Sequence, residues 1–145
     1  MDLPRVPAVL VVDDDPDLRM LLQTVLATTG ARVLSAADGD SALELGLAHR
    51  PDVAVLDVML PGRLDGLSLC TRLKAEHPGC FVIIVSGRGL QADVLDGERA
   101  GADAYFVKPF SLLELSALIE SVLPVHSDPP RRRRAERLRV HHFKR

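Results

Sequence analysis

Four short apolar runs in this 145-residue chain each end at a residue that could act on an anion. Asp13, Asp14 and Asp15 follow Ala8–Val12; Asp57 follows Val53–Leu56; Ser86 follows Phe81–Val85; and Lys108 follows Ala104–Val107. Carboxylates brought together repel, by about 4 kcal/mol for two unit charges about 4 Å apart at an effective dielectric of about 20. A cation must offset that repulsion. Mg2+ is the simplest candidate, because it takes oxygen ligands and is typically held by one or two carboxylates, waters and a phosphoryl oxygen. Lys108 then adds a second positive group, and Ser86 a hydrogen-bond donor, for an incoming anion. The set fits phosphoryl transfer, which asks a protein mainly for positioning and charge neutralisation and which a carboxylate can enter as the nucleophile. Asp57 is the candidate for that role.

Those residues act together only if the chain brings the ends of the runs to one place. β-branched apolar runs at 8–12, 32–36, 53–56, 81–85 and 104–107 alternate with segments of helical period, the pattern of a parallel sheet covered on both faces by helices. The first helix starts with Asp15 as N-cap and Pro16 at the first helical position, places Leu18, Leu21, Leu22, Val25 and Leu26 on one face, and stops at Gly30. The last opens on Ser111-Leu112-Leu113-Glu114 and carries Leu115, Leu118, Ile119 and Val122 up to Pro124. Helices are also predicted over 38–49, 66–77 with Leu67, Cys70 and Leu73 inward, and 90–100. The last of these is the weakest, anchored by Leu90, Val94 and Leu95 alone. Five βα units in so short a chain predict a single doubly wound α/β sheet, which binds ligands outside the carboxyl ends of its strands.

Composition narrows the class further. The length suits one domain, and 47% hydrophobic with 26% charged residues suits a globular protein and excludes a collagen-like or wholly disordered chain. No apolar run approaches the roughly 20 residues of a membrane-spanning helix. The N-terminus lacks the cationic start and apolar stretch of a signal peptide, so the expectation is no membrane insertion and a cytoplasmic location. The two cysteines, Cys70 and Cys80, have neither disulfide-framework nor zinc spacing and read as buried small hydrophobes. The five histidines stand at helix ends or in the tail without metal-ligand spacing, so any phosphoryl donor is external.

The chain resembles the receiver domain of two-component response regulators. The resemblance rests on Val11-Val12-Asp13-Asp14-Asp15, Val55-Leu56-Asp57-Val58-Met59-Leu60-Pro61-Gly62, Val85-Ser86-Gly87 and Gly101-Ala102-Asp103-Ala104-Tyr105-Phe106-Val107-Lys108-Pro109-Phe110, in that order, and covers about residues 7–124. It implies a flavodoxin-like fold of five strands in the order 2-1-3-4-5 with five helices. It also implies that Asp57 accepts a phosphoryl group from a histidine kinase or phosphotransfer protein. Mg2+ would be held by Asp13, Asp14, Asp57 and the backbone carbonyl of Met59, with Lys108 pairing the phosphoryl oxygens. Ser86 would turn toward the phosphate and let Tyr105 rotate inward, signalling to a downstream effector protein. Asp15 is left as the helix cap. Two departures stand out. The loop Pro61–Gly66 is one residue longer than the family's usual pattern, and Met59 stands where family members tune hydrolysis of the phosphoaspartate, which predicts slow self-dephosphorylation because Met cannot orient a water.

Charge is divided unevenly. Residues 1–124 carry 10 Lys/Arg against 18 Asp/Glu, and residues 125–145 carry 8 against 2. The division predicts a receiver domain over 1–124 and a flexible, Arg-rich tail over 125–145. Arg131–Arg145 is the only stretch suited to nucleic acid, and the same charge lets the tail fold back on its own acidic body. Two rival readings compete with the phosphoacceptor. One is an unphosphorylated interaction module, or a nucleic-acid binder acting through the tail. The other is a haloacid-dehalogenase-type phosphatase with Asp13 attacking, which leaves Asp57 and Lys108 unexplained.

Overall fold

A computed structural model describes residues 5–124 and 139–141. In chain order the elements are β1 (Ala8–Val12), α1 (Pro16–Ala27), β2 (Arg32–Ala36), α2 (Gly39–His49), β3 (Val53–Asp57), α3 (Gly66–Glu76), β4 (Phe81–Ser86), α4 (Gln91–Arg99), β5 (Ala104–Val107), α5 (Leu112–Val122) and β6 (Arg139–His141). They form one sheet in the order β2-β1-β3-β4-β5-β6, with every pairing parallel.

Both faces of the sheet are covered, and side-chain alternation along each strand divides the core in two. Val9 and Val11 of β1, Val53 and Val55 of β3, Ile83 and Val85 of β4 and Phe106 of β5 pack with Leu22 and Leu26 of α1 and Leu115, Leu118 and Ile119 of α5. On the other face Leu10, Val12, Ala54, Leu56, Val82, Ile84 and Tyr105 pack with Ala42 of α2 and Leu69, Cys70 and Leu73 of α3. That is why the inner strands read as continuous apolar runs: every residue of β1 and β3 is buried.

The helix starts are fixed by side-chain caps. Asp15 accepts from the Asp17 amide at 3.0 Å, with Pro16 as the first helical residue; Asp38, Asp65 and Ser111 cap α2, α3 and α5 in the same way. Two apolar assignments differ from expectation. Leu21 lies on the exposed side of α1, and in α4 Leu90 and Leu95 are exposed, leaving Val94 as the residue packed on the core. The cause in α4 is Gly97, which lets that helix press its backbone on the Tyr105 ring in place of a row of leucines.

The sixth strand is the larger difference from the five expected. Its three residues belong to the segment read as a tail, and they pair with the outer edge of β5. A run of arginines masks strand character in the local composition, whereas the partner that makes a strand of Arg139–His141 is the unpaired backbone of β5, some thirty residues earlier. Arg131–Arg134 and the predicted boundary at 124–125 adjoin or lie in 125–138, outside the described residues.

Burial also settles the cysteines. Both thiols are fully enclosed, and burial pushes each up to about 12, against only partial opposition from the Lys74 charge. Both thiols therefore stay protonated at pH 8. We expect a thiol-specific alkylating reagent at that pH to leave the native protein unmodified and to add two groups once denaturant unfolds it; rapid native-state labelling of either cysteine would contradict the packing.

Candidate functional site

Strand register alone brings the chemistry together. Val12 pairs with Leu56, so the next residues, Asp13 and Asp57, stand level at the carboxyl ends of β1 and β3. Asp57 is opposite Val85, which puts Ser86 one step further along β4; Ser86 is opposite Val107, and Lys108 follows. Asp57 and Ser86 are the last residues of their strands, one position beyond the strand ends predicted from sequence.

The resulting cluster is tight. One carboxylate oxygen from each of Asp13, Asp14 and Asp57 lies within 4.8 Å of the others, with Asp13 and Asp57 buried and Asp14 exposed at the opening. Lys108 Nζ reaches both buried acids, at 3.0 Å from Asp57 Oδ2 and 3.5 Å from Asp13 Oδ2. The remaining oxygens accept backbone amides: Asp57 Oδ1 from Met59 N at 3.0 Å and Asp13 Oδ1 from Asp15 N at 2.9 Å. The Lys108 amide donates to the Ser86 carbonyl at 2.8 Å, tying the lysine to the strand that carries the hydroxyl. Ser86 is fully buried, and its Oγ accepts from Arg88 N at 3.0 Å.

Electrostatics show what this arrangement costs. Burial is the main reason the Asp13 carboxyl is shifted up, with the Asp57 charge adding to it, while the Asp15 amide and the Lys108 charge oppose. Burial alone would pull Lys108 down, but the hydrogen bond to Asp57 and the charges of Asp57 and Asp13 carry it above its usual range. The lysine is thus charged at neutral pH. Three carboxylates against one ammonium leave an excess of negative charge, and a donor set made only of oxygens suits a hard divalent cation such as Mg2+.

Sequence reasoning picked out Asp13, Asp14, Asp57, Ser86 and Lys108, and all five stand on one rim. Tyr105 lies inside: its ring is 1% exposed, and its hydroxyl donates to the Arg88 carbonyl at 2.5 Å. Burial shifts that hydroxyl up, and a hydrogen bond with Ser86 opposes the shift, so the two switch candidates are in contact. Met59 has an exposed side chain and contributes its amide to Asp57.

Two residues that shape the site escaped sequence reasoning. Arg19, on α1, holds the Asp13 carbonyl through Nη1 at 2.7 Å. Gly66 begins α3 with its backbone against Asp57, where a Cβ would fall 2.0 Å from the Asp57 carbonyl oxygen, so only glycine lets the helix start there. Glycine directly after a cap aspartate was the available signal for Gly66; nothing local marks Arg19.

A doubly wound parallel sheet with an acidic, lysine-bearing site at its carboxyl rim defines a class of phosphoryl-responsive α/β domain. Residues 9–120 match the family model described as the response regulator receiver domain. The chain is 45% identical over 130 residues to the transcriptional regulatory protein CseB of Streptomyces avermitilis, covering 88% of this chain and 54% of that protein. It is 44% identical over 117 residues to the transcriptional regulatory protein PrrA of Mycobacterium tuberculosis, covering 81% and 50%. Among solved structures, the BeF3-activated DrrB receiver domain superposes with a TM-score of 0.73 at 32% identity, covering 80% of this chain and 96% of that one. A CheY-like receiver domain protein from Methanospirillum hungatei does so with 0.75 at 28%, covering 80% and 92%. The chain belongs to the response regulator receiver family, and it is a signalling domain of two-component type. It spans about half the length of the curated relatives it matches.

The raised Asp13 carboxyl has a consequence for stability. A group whose pKa is higher folded than unfolded favours folding below its unfolded value and loses that contribution as pH rises through the folded one, so at neutral pH the Asp13 carboxylate opposes folding. In chelator-treated buffer at pH 7 we expect Asp13→Asn to stabilise the protein by about 1 kcal/mol, seen as a higher Tm. The same variant should lose most of the Tm increase that Mg2+ gives the parent. A lower Tm without metal would show that the carboxylate's bonds to Asp15 and Lys108 outweigh its burial.

Proposed function

We infer that Asp57 is the phosphoacceptor, receiving a phosphoryl group from the phosphohistidine of a histidine kinase or phosphotransfer protein. The observation that carries this reading is the position of the Asp57 carboxylate, at the strand rim between the Lys108 ammonium and the carboxylates of Asp13 and Asp14. An oxygen of Asp57 bonds to phosphorus as the phosphorus–nitrogen bond of the donor breaks, and the bonding pair stays on the donor's imidazole nitrogen. Mg2+, held by Asp13, Asp14, Asp57 and the Met59 carbonyl, would neutralise charge on the transferring group.

The protein's own groups do the rest. Lys108 gives one of its ammonium hydrogens to a phosphoryl oxygen in place of the bond it now makes to Asp57 Oδ2. The Met59 amide already fixes Asp57 Oδ1, so the carboxylate cannot rotate freely and is presented in one orientation. Ser86 has a hydroxyl that can leave Arg88 N for the phosphoryl group, and its contact with Tyr105 links that movement to β5. The output is a changed surface for a downstream effector protein, in the cytoplasm as for receivers generally. Phosphoryl transfer and loss at Asp57 are the only covalent chemistry in this reading. Contact with nucleic acid, if any, falls to Arg131–Arg145.

Asp13 as a phosphatase nucleophile would leave the Asp57 carboxylate and its bond to Lys108 without a role.

Incubation with Mg2+ and a small acyl phosphate should add a single phosphoryl group to the parent protein by intact mass, stable in acid and lost in base, and none to Asp57→Asn. Absence of an adduct on folded, Mg2+-binding parent protein would remove Asp57 from this role. Because the exposed Met59 side chain has no group to orient a water, the parent adduct should persist, and Met59→Asn should shorten its lifetime several-fold; an unchanged lifetime would show that water is positioned by another residue.

A further inference from the structure

A five-stranded sheet would end at β5, leaving a row of unpaired backbone donors and acceptors. In this chain Arg139–His141 fills that edge in parallel register, Ala104 with Arg139, Tyr105 with Val140 and Phe106 with His141. Side chains paired across a parallel ladder point to the same face, so Val140 lies on the α4 side with Tyr105, and His141 on the α5 side with Phe106. The α5 side is held by chemistry. The His141 ring stacks on Phe106 at 4.2 Å between centroids and 12° between planes, its Nδ1 is 3.8 Å from Glu114 Oε2, and Phe106 meets Phe110 edge-on at 5.9 Å.

The α4 side bears on the Tyr105 ring. The inner pocket of the ring includes Gly97 of α4, where a Cβ would approach the ring to 2.9 Å, and the Arg88 carbonyl in the loop between β4 and α4, which accepts from the hydroxyl. Val140, 39% exposed, stands across from that pocket. A tyrosine on a strand changes position by jumping between staggered χ1 wells. Leaving the inner pocket carries the ring away from β4 and over the edge of β5, into the space beside Val140. The docked strand and the buried ring are therefore compatible, whereas the docked strand and an outward ring compete for the same ground.

We propose that the outer edge of β5 is a binding site for an extended peptide segment, that Arg139–His141 is its resident ligand, and that occupancy of the edge holds Tyr105 in the buried position. Val140 is the positioning residue. A segment able to replace the resident strand needs an apolar side chain opposite Tyr105 followed by a flat ring opposite Phe106. Three residues of ladder are a short hold, which places this strand among the parts of the fold that open first. The coupling is reciprocal: whatever favours the inward ring favours the docked strand, and the reverse. It does not depend on phosphoryl transfer at Asp57.

The chain has one tyrosine and no tryptophan, so intrinsic fluorescence of these 145 residues reports Tyr105 alone. His141→Pro removes a ladder N–H, because the Arg139 and His141 amides face β5 while that of Val140 points outward, and it undocks the strand; His141→Ala removes only the stack on Phe106; Val140→Ile keeps both. Acrylamide quenching of the tyrosine should rise at least about threefold in His141→Pro, rise in the same direction in His141→Ala, and stay at the parent value in Val140→Ile. Amide exchange at Arg139 and His141 should be slower than for a free chain in the parent protein, and Arg139 should lose that protection in His141→Pro. Quenching unchanged in both His141→Pro and His141→Ala would overturn the hold on Tyr105, and free-chain exchange at Arg139 and His141 in the parent would overturn the docking.

Discussion

The charge at the carboxyl rim of the sheet is the constraint on which the rest of this structure depends. Asp13 and Asp57 are both buried at the ends of neighbouring strands, and a single ammonium, Lys108, stands between them. Burial of like charges is tolerated only where a partner of opposite sign is fixed in place. Lys108 is fixed by its backbone bond to Ser86 and by its place at the end of β5. Asp13 is shifted up by burial and by the Asp57 charge, an unfavourable carboxylate that a cation beside the aspartates would relieve, while the aspartates hold Lys108 in its charged form. A site already neutralised by the protein alone would bind no cation with any effect on shape.

The scaffold serves that constraint through register. Parallel pairing brings the last residues of β1, β3, β4 and β5 to one rim without any long-range loop having to be ordered, and two separate cores clamp the sheet from both sides. Close backbone approaches do the fine positioning. Gly66 lets α3 begin against Asp57, and Gly97 lets α4 lie on Tyr105, so the Asp57 backbone and the tyrosine ring each touch a helix backbone with no side chain intervening.

Much of this was legible in the sequence because it is local. Apolar runs bounded by Asp, Ser and Lys gave strands together with the residues at their ends, and Asp15-Pro16 and Ser111 gave helix starts that the side-chain bonds reproduce. Pattern reading failed where the deciding partner is distant. Leu90 and Leu95 look like helix anchors until Gly97 is seen to carry the contact, and Arg19 looks like a solvated charge until its guanidinium is found on the Asp13 carbonyl. Arg139–His141 is the extreme case. Nothing in its own composition distinguishes it from a basic tail, and its strand character is supplied by the open edge of β5.

That edge changes how the domain connects its two ends. Lys108, one residue beyond β5, touches Asp57; Tyr105, three residues before Lys108, bears on Ser86; and Tyr105 and Phe106 are among the residues against which the C-terminal strand pairs. One four-residue strand therefore has the charged site at its carboxyl end, the tyrosine on one face and a replaceable neighbour along its side. Since a rigid strand cannot move at one of these points without moving at the others, a peptide at the β5 edge and a ligand at Asp57 act on the same element. The sign follows from sterics: a strand at the edge excludes the outward ring and so favours the inward one, and the ring is already inside.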